Sequence, residues 1–134
     1  DVPNSPLFPF GFGLGFSKFE YSDLKLSSDK QFGNQKLTAS ILLKNSGAMD
    51  GAEVVQLYIR DVVGSSSRPL KELKGFQKVF LKKGESRTVS FEISPEDLKF
   101  YNFDLKYDWE AGDFDVMIGG NSRDVMTSRV NWVK

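Results

Sequence analysis

Apolar and polar side chains alternate one by one along most of this chain, with the period of two that is typical of β-strands with one buried face. The alternation is clear in residues 37–43, 87–93 and 113–118, where almost every second side chain is apolar. No window shows sustained helical periodicity. The pattern therefore predicts an all-β protein.

One stretch, residues 53–61, is apolar on both sides of its predicted strand. One side carries three aliphatic residues and the other carries two further apolar residues: Val55, Leu57 and Ile59, against Val54 and Tyr58. A strand of this kind belongs inside a sheet, with other groups packed over each face. We therefore expect it at the centre of the fold.

Turn-forming residues separate the predicted strands at intervals that are typical of a sandwich. The clearest turns are Gly33-Asn34, residues 82–85 and residues 119–122, and segment 45–51 is expected to be rich in positive-φ residues. A break in the alternation near Asp23 predicts a β-bulge. Together these signals predict an immunoglobulin-like antiparallel β-sandwich of about seven to eight strands.

Residues 72–81 leave two orientations open for a pair of phenylalanines. Strict alternation places Phe76 and Phe80 on the outward face beside lysines, which predicts a docking patch. A bulge at Gly75 would instead reset the register and turn Phe76 inward.

The first fifteen residues combine proline and glycine with a set of large apolar side chains, which include Phe8, Phe10, Phe12 and Leu14. Proline and glycine disfavour a regular helix, and so many aromatic residues are unusual for a solvated tail. The segment either packs on its own domain or forms a linker that packs on a neighbouring one. Arg68, in the polar loop after the central strand, is a candidate for an ion pair across such an interface.

Composition excludes several classes of function. The chain has 134 residues, which suits one domain, and it contains neither cysteine nor histidine. Thiolate and histidine metal sites and histidine-based triads are therefore excluded, and no cofactor is expected. Eighteen basic residues balance eighteen acidic ones, and no apolar run could span a bilayer. Nucleic acid and membrane are therefore not expected as partners.

Carboxylates and tryptophans are the remaining candidates for chemistry. Acidic residues crowd the second half of the chain, but they occupy turns and the polar positions of alternating strands, so no catalytic pair is expected among them. Trp109 and Trp132 are candidates for stacking against a sugar ring. A sandwich of this size also needs large aromatic residues in its core, so both interpretations stay open.

Four sequence blocks, taken in order, resemble one known family. They are PFGFGLGF with FEYS in residues 9–22, NSGAMDGAEVVQLY in 45–58, RPLKELKGF with LKKGE in 68–85, and GDFDVMIG in 112–119. On these motifs the chain is similar to the C-terminal fibronectin type III-like domain of family 3 glycoside hydrolases, and in particular of bacterial periplasmic β-glucosidases.

This resemblance implies that residues 16–134 form a fibronectin type III-like domain and that residues 1–15 form a linker along neighbouring catalytic domains. In the family, the nucleophilic aspartate of a Ser-Asp-Trp motif and the acid/base residue lie in other domains. Tyr107-Asp108-Trp109 lacks that serine, so no catalytic role is carried over. The resemblance further implies a periplasmic or secreted parent enzyme that hydrolyses terminal β-D-glucosyl bonds with retention.

Three functional hypotheses follow. The first is a non-catalytic accessory domain that braces the catalytic domains through Phe8, Phe10, Phe12, Leu14 and Arg68. Its partners would be those domains, with a second copy of the parent as a further candidate. The second is a carbohydrate-binding module that uses Trp109 or Trp132, and the third is a free-standing interaction sandwich.

Overall fold

The computed structural model describes residues 18–62, 71–101, 107–108 and 111–134, with the side chains of the short strands in 100–108 excepted. This part of the chain contains one 3-10 helix, Pro95–Leu98, and ten strands. The strands are β1 (Phe19–Leu26), β2 (Lys30–Phe32), β3 (Leu37–Asn45), β4 (Gly51–Asp61), β5 (Lys71–Leu81), β6 (Ser86–Ile93), β7 (Phe100–Tyr101), β8 (Tyr107–Asp108), β9 (Gly112–Gly119) and β10 (Val125–Val133). In this described part, no helix is long and apolar enough to cross a membrane.

Two main sheets form the sandwich. One has the strand order β1-β3-β6 and the other has the order β2-β10-β9-β4-β5, while β7 and β8 pair separately. Seven strands have eight or more residues, namely β1, β3, β4, β5, β6, β9 and β10. The predicted all-β sandwich is therefore confirmed.

The pairing of β2 departs from the expected antiparallel arrangement. This three-residue strand runs parallel to β10, with Trp132 opposite Gln31. Parallel neighbours need a long connection, and here the two strands are distant in the chain. Three residues are too few to show an alternation, so the sequence pattern gave no signal for this strand.

The core lies between the two main sheets. The β4 residues Val55, Leu57 and Ile59 are buried there, as predicted, together with alternate residues of β3, β6 and β9. Trp132 and Phe114 are the largest fully buried side chains. Each large apolar side chain contributes about 1.5–3 kcal/mol on burial, so this cluster is the main source of stability.

The predicted bulge in β1 is confirmed. Asp23 has a φ of 55°, and the register between β1 and β3 shifts between Ser22 and Lys25. Aspartate tolerates this left-handed conformation better than most residues do. The turns at Gly33 and Gly84 also have positive φ, 55° and 81°.

The connection between β3 and β4 was expected to be rich in positive-φ residues, and that expectation is wrong. The described residues with positive φ do not include any of 45–51. Instead, the buried Asn45 side chain shapes the turn: its Nδ2 donates to the carbonyls of Met49 (2.9 Å) and Leu81 (3.1 Å), and its Oδ1 accepts from the Gly47 amide (3.0 Å). A side-chain amide thus supplies the turn bonds that backbone conformation was expected to provide.

Candidate interaction surfaces

Most of the side chains that the sequence singled out lie outside the described residues. These are Phe8, Phe10, Phe12 and Leu14 of the first segment, Arg68 of the loop after β4, and Trp109. Their proposed roles as interdomain or sugar contacts therefore stay predictions.

Trp132 lies in the core. Its side chain is fully buried, and its indole Nε1 donates a hydrogen bond to the Gly33 carbonyl over 3.0 Å. A ring enclosed in this way has no face available for stacking on a sugar. Of the two interpretations left open, this position favours the core residue. The bond also ties β10 to the turn after β2.

The two phenylalanines of β5 point outward. The β4–β5 register shifts, because Leu57 pairs with Gly75 while the next residue, Tyr58, pairs with Leu73. A bulge is therefore present, but it reorients the residues before Gly75 rather than Phe76. Phe76 is 67% exposed, Phe80 is 54% exposed, and the bulge brings Leu73, also 51% exposed, onto the same side.

The face of the five-stranded sheet turned away from the core is defined here as the outer face. The pairing register places residues of five strands on it: Lys30 of β2; Ala52, Val54, Gln56, Tyr58 and Arg60 of β4; Lys71, Leu73, Phe76, Lys78 and Phe80 of β5; Asp113, Asp115 and Met117 of β9; Thr127, Arg129 and Asn131 of β10. The half formed by β4 and β5 carries the exposed apolar side chains Val54, Leu73, Phe76 and Phe80, and lysines lie among them. The half formed by β9, β10 and the end of β4 is charged.

An ion cluster organises the charged half. Asp115 is only 3% exposed at its side chain, and its Oδ2 accepts from Arg60 Nη2 at 2.5 Å while its Oδ1 accepts from Arg129 Nε at 3.0 Å. Burial alone would raise the pKa of Asp115, but the hydrogen bonds from Arg129 and Arg60 outweigh it and hold that pKa below its ordinary value. Asp115 thus stays ionised and fixes two guanidinium groups on the outer face.

A second polar contact joins the two sheets at the end near the β9–β10 turn. The Tyr21 hydroxyl on β1 donates to Glu53 Oε2 on β4 over 2.8 Å. Burial raises the pKa of Glu53, and the bond from Tyr21 offsets this only in part. A Cβ on Gly120 would lie 2.7 Å from Glu53 Oε2, so a larger residue there would require the Glu53 carboxylate to shift.

A shallow polar groove lies beside β2. It is lined by Ser27, Ser28, Lys30, Gln31, Phe32, Gln35 and Lys36. Phe32 is 58% exposed, and the side-chain Oε1 of Gln35 accepts from the Phe32 amide over 3.1 Å. The groove therefore presents one aromatic ring beside several hydrogen-bonding side chains.

The carboxylates with described contacts have structural partners. Asp97 accepts from the Ser94 amide at the start of the 3-10 helix, Asp113 accepts from Asn131, and Asp115 and Glu53 are held as described above. Within the described ranges, no group of three or more acidic residues could hold a metal ion.

The ion cluster was missed from the sequence. Arg60, Asp115 and Arg129 occupy polar positions of alternating strands, where solvated charges are the ordinary case. Only the strand order, with β9 between β4 and β10, brings them together.

Comparison with known proteins identifies the family. Residues 53–122, slightly more than half of the chain, match the fibronectin type III-like domain family. The chain is 51% identical over 122 residues to a periplasmic beta-glucosidase of Salmonella typhimurium. The match covers 91% of this chain and 16% of that protein. It is 44% identical over 119 residues to a beta-xylosidase of Formosa agariphila, with coverage of 89% and 16%.

Solved structures agree in fold. A beta-glucosidase from Erythrobacter marinus matches with a TM-score of 0.81 and 39% identity, covering 96% of this chain and 17% of that one. A beta-glucosidase from Listeria innocua in complex with glucose matches with a TM-score of 0.77 and 40% identity, covering 100% and 18%. The chain thus spans about one sixth of the length of such proteins. On these matches and on its two-sheet architecture, the chain belongs to the fibronectin type III-like domain family, in the form found within family 3 β-glucosidases.

Proposed function

We propose that this chain is a non-catalytic accessory domain of a larger glycoside hydrolase of the β-glucosidase type, and that it braces the catalytic domains. The observation that carries the proposal is the combination of near-complete coverage of this chain with coverage of only 16% of the Salmonella relative. The contacts of Glu53, Asp97, Asp113 and Asp115 fit an accessory role, because each of these carboxylates bonds a strand or a turn of the fold.

The chemistry in this proposal belongs to the parent enzyme, which would hydrolyse terminal β-D-glucosyl bonds with retention. Similar domains occur in relatives named as a beta-glucosidase and as a beta-xylosidase. We therefore infer that residues outside this domain select the sugar. A periplasmic or secreted location is proposed from the name of the Salmonella relative.

Residues 1–15 are proposed as the linker that lies along the catalytic domains. Phe8, Phe10, Phe12 and Leu14 would supply its apolar contacts, and Arg68 an ion pair at the same interface. A linker rich in proline is partly pre-ordered and loses little entropy when it docks.

The test compares the full-length polypeptide, the same polypeptide without this domain, and this chain alone. Hydrolysis of an aryl β-D-glucoside and the midpoint of thermal unfolding are measured for each. We expect no turnover by the chain alone, and a truncated enzyme with lowered stability that recovers when the chain is added. Turnover by the purified chain, or a truncated enzyme with unchanged kcat/KM and unfolding midpoint, would overturn the proposal.

The groove beside β2 supports a second candidate function, carbohydrate binding. Phe32 offers an exposed ring, and Lys30, Gln35 and Lys36 offer hydrogen-bonding groups around it. Calorimetric titration of the chain with β-linked oligosaccharides, with a Phe32→Ala variant as control, tests this. Saturable binding that the variant loses supports it, and no heat at millimolar sugar refutes it.

A further inference from the structure

The outer face of the five-stranded sheet is unusual because its apolar half is left open. Phe76, Phe80, Leu73 and Val54 are between 40% and 67% exposed there, although they are contiguous through the β4–β5 pairing. The sequence predicts that β4 is covered on both faces, yet the core covers only the face of Val55. A contiguous exposed apolar patch on a stable sheet marks an interaction site.

Charge gives this face a second distinguishing property. Its described cationic residues are Lys30, Arg60, Lys71, Lys78 and Arg129, whereas its acidic residues are Asp113 and Asp115. The chain as a whole carries no net charge, so this face holds an excess of positive charge that is compensated elsewhere. Interacting protein surfaces place opposite charges against each other. The partner surface that matches this face is therefore apolar and bordered by acidic residues.

Charged side chains on the outer face are held in fixed positions, which favours the docking of a partner. Asp115 holds Arg60 and Arg129 in place across three adjacent strands, and so the guanidinium groups are positioned before any partner arrives. Phe76 and Phe80 project from the same side of β5, with Lys78 between them.

The dimensions also fit a contact within one polypeptide. The four longer strands of this sheet, β10, β9, β4 and β5, have at least eight residues each, and at about 4.8 Å per strand and about 3.3 Å per residue they give a face of roughly 500 Å². Counting both partners, such a contact reaches about 1,000 Å², within the range of roughly 600–1,500 Å² found between domains of one chain.

We propose that this outer face is the surface by which the domain docks onto the remainder of its own polypeptide, and that the partner surface there is apolar and net acidic. The inference rests on the proposed function, since the occupant is the five-sixths of the relatives' length that lies outside this chain. In this proposal, β4 and β5 contact the rest of the polypeptide in addition to the contact made by the linker of residues 1–15.

Thiol labelling tests the proposal because the chain has no cysteine of its own. Phe76→Cys and Phe80→Cys are placed in this chain and in the full-length polypeptide, with Thr88→Cys on the exposed side of β6 as the matched control. Alkylation of each site is followed by peptide mass. We expect labelling at 76 and 80 to slow by about tenfold or more in the full-length protein, because a covered site reacts only when it opens. Labelling at 88 should not change.

Equal labelling rates at 76 and 80 in both forms would overturn the proposal. Protection that falls on dilution of the full-length protein would also overturn it, because a second copy would then be the occupant. If the sites stay exposed while removal of the domain still destabilises the enzyme, the outer face is refuted and the accessory role stands. If the truncated enzyme is unaffected, the accessory role itself fails.

A charge reversal gives an independent readout. Lys78→Glu in the full-length protein should increase proteolytic release of the domain several-fold, while its effect on the unfolding midpoint of this chain alone should be negligible. Thr88→Glu serves as the control. Unchanged release by Lys78→Glu together with unprotected thiols would refute the assignment of the face.

Discussion

Gly119, at the end of β9, offers the sharpest test of the packing described here. A Cβ built on this residue would lie 2.1 Å from the Asp124 carbonyl oxygen and 2.9 Å from the Val125 Cα. Both are backbone atoms, one in the β9–β10 turn and one at the start of β10, so no side-chain rotation can relieve the overlap. In a Gly119→Ala variant, the backbone would have to move by about 1 Å or more to restore ordinary contact.

The expected cost of Gly119→Ala is about 3 kcal/mol. Overpacking costs about 1–3 kcal/mol when side chains can adjust, and this site belongs at the upper end because a strand ladder has to shift. For a domain of this size, about 3 kcal/mol lowers the unfolding midpoint by roughly 9–15 °C. Urea denaturation followed by circular dichroism, with calorimetry, measures both quantities.

Gly75→Ala is the matched control. A Cβ there would meet the Phe91 ring at 3.7 Å, which is ordinary contact, and alanine loses less entropy than glycine on folding. We expect this variant to unfold within about 1 kcal/mol of the wild type. If Gly119→Ala unfolded as close to the wild type as Gly75→Ala, the close approach of β9 to the turn would be refuted.

Three further predictions concern the polar contacts. Glu53→Gln keeps an acceptor for the Tyr21 hydroxyl but removes a carboxylate whose pKa is raised by burial. The free energy of unfolding of the wild type, relative to that of this variant, should therefore fall as pH rises through the raised pKa. Parallel curves of stability against pH would contradict this. Asp115→Asn should cost about 1–3 kcal/mol at pH 7, because charged hydrogen bonds are lost. That cost should shrink as pH falls through the lowered pKa of Asp115, and urea denaturation at pH 7 and pH 3 checks it. Trp132→Phe leaves the Gly33 carbonyl without its indole donor and opens a cavity, so a loss of about 2–3 kcal/mol is expected; a loss near zero would refute the enclosed position of the ring.

The strands and their inward faces were predictable because alternation and turn residues are local properties. The alternation predicts strands over residues 37–43 and 113–118, and the structure has β3 at Leu37–Asn45 and β9 at Gly112–Gly119. What could not be predicted depends on which strands become neighbours. The Arg60–Asp115–Arg129 cluster needs β9 to lie between β4 and β10.

The position of the β5 bulge was likewise beyond local reasoning. Gly75 signalled an irregularity, but only the pairing with β4 shows that the register changes before it, which leaves Phe76 exposed and brings Leu73 to its side. Asn45 is a similar case. Its residue type indicated a turn with positive φ, whereas its buried side chain fixes the turn by donating to the Leu81 carbonyl.

The parallel pairing of β2 with β10 has a consequence for the order in which the domain can fold. Residues near position 31 find their neighbour only about a hundred positions later, and β10 lies inside its sheet, between β2 and β9. During synthesis on the ribosome, the early strand pairs can therefore form while the position of β10, between β2 and β9, is still empty. Closure waits for the last strand to emerge, so nascent chains halted before Val125 should remain open to chaperones and proteases.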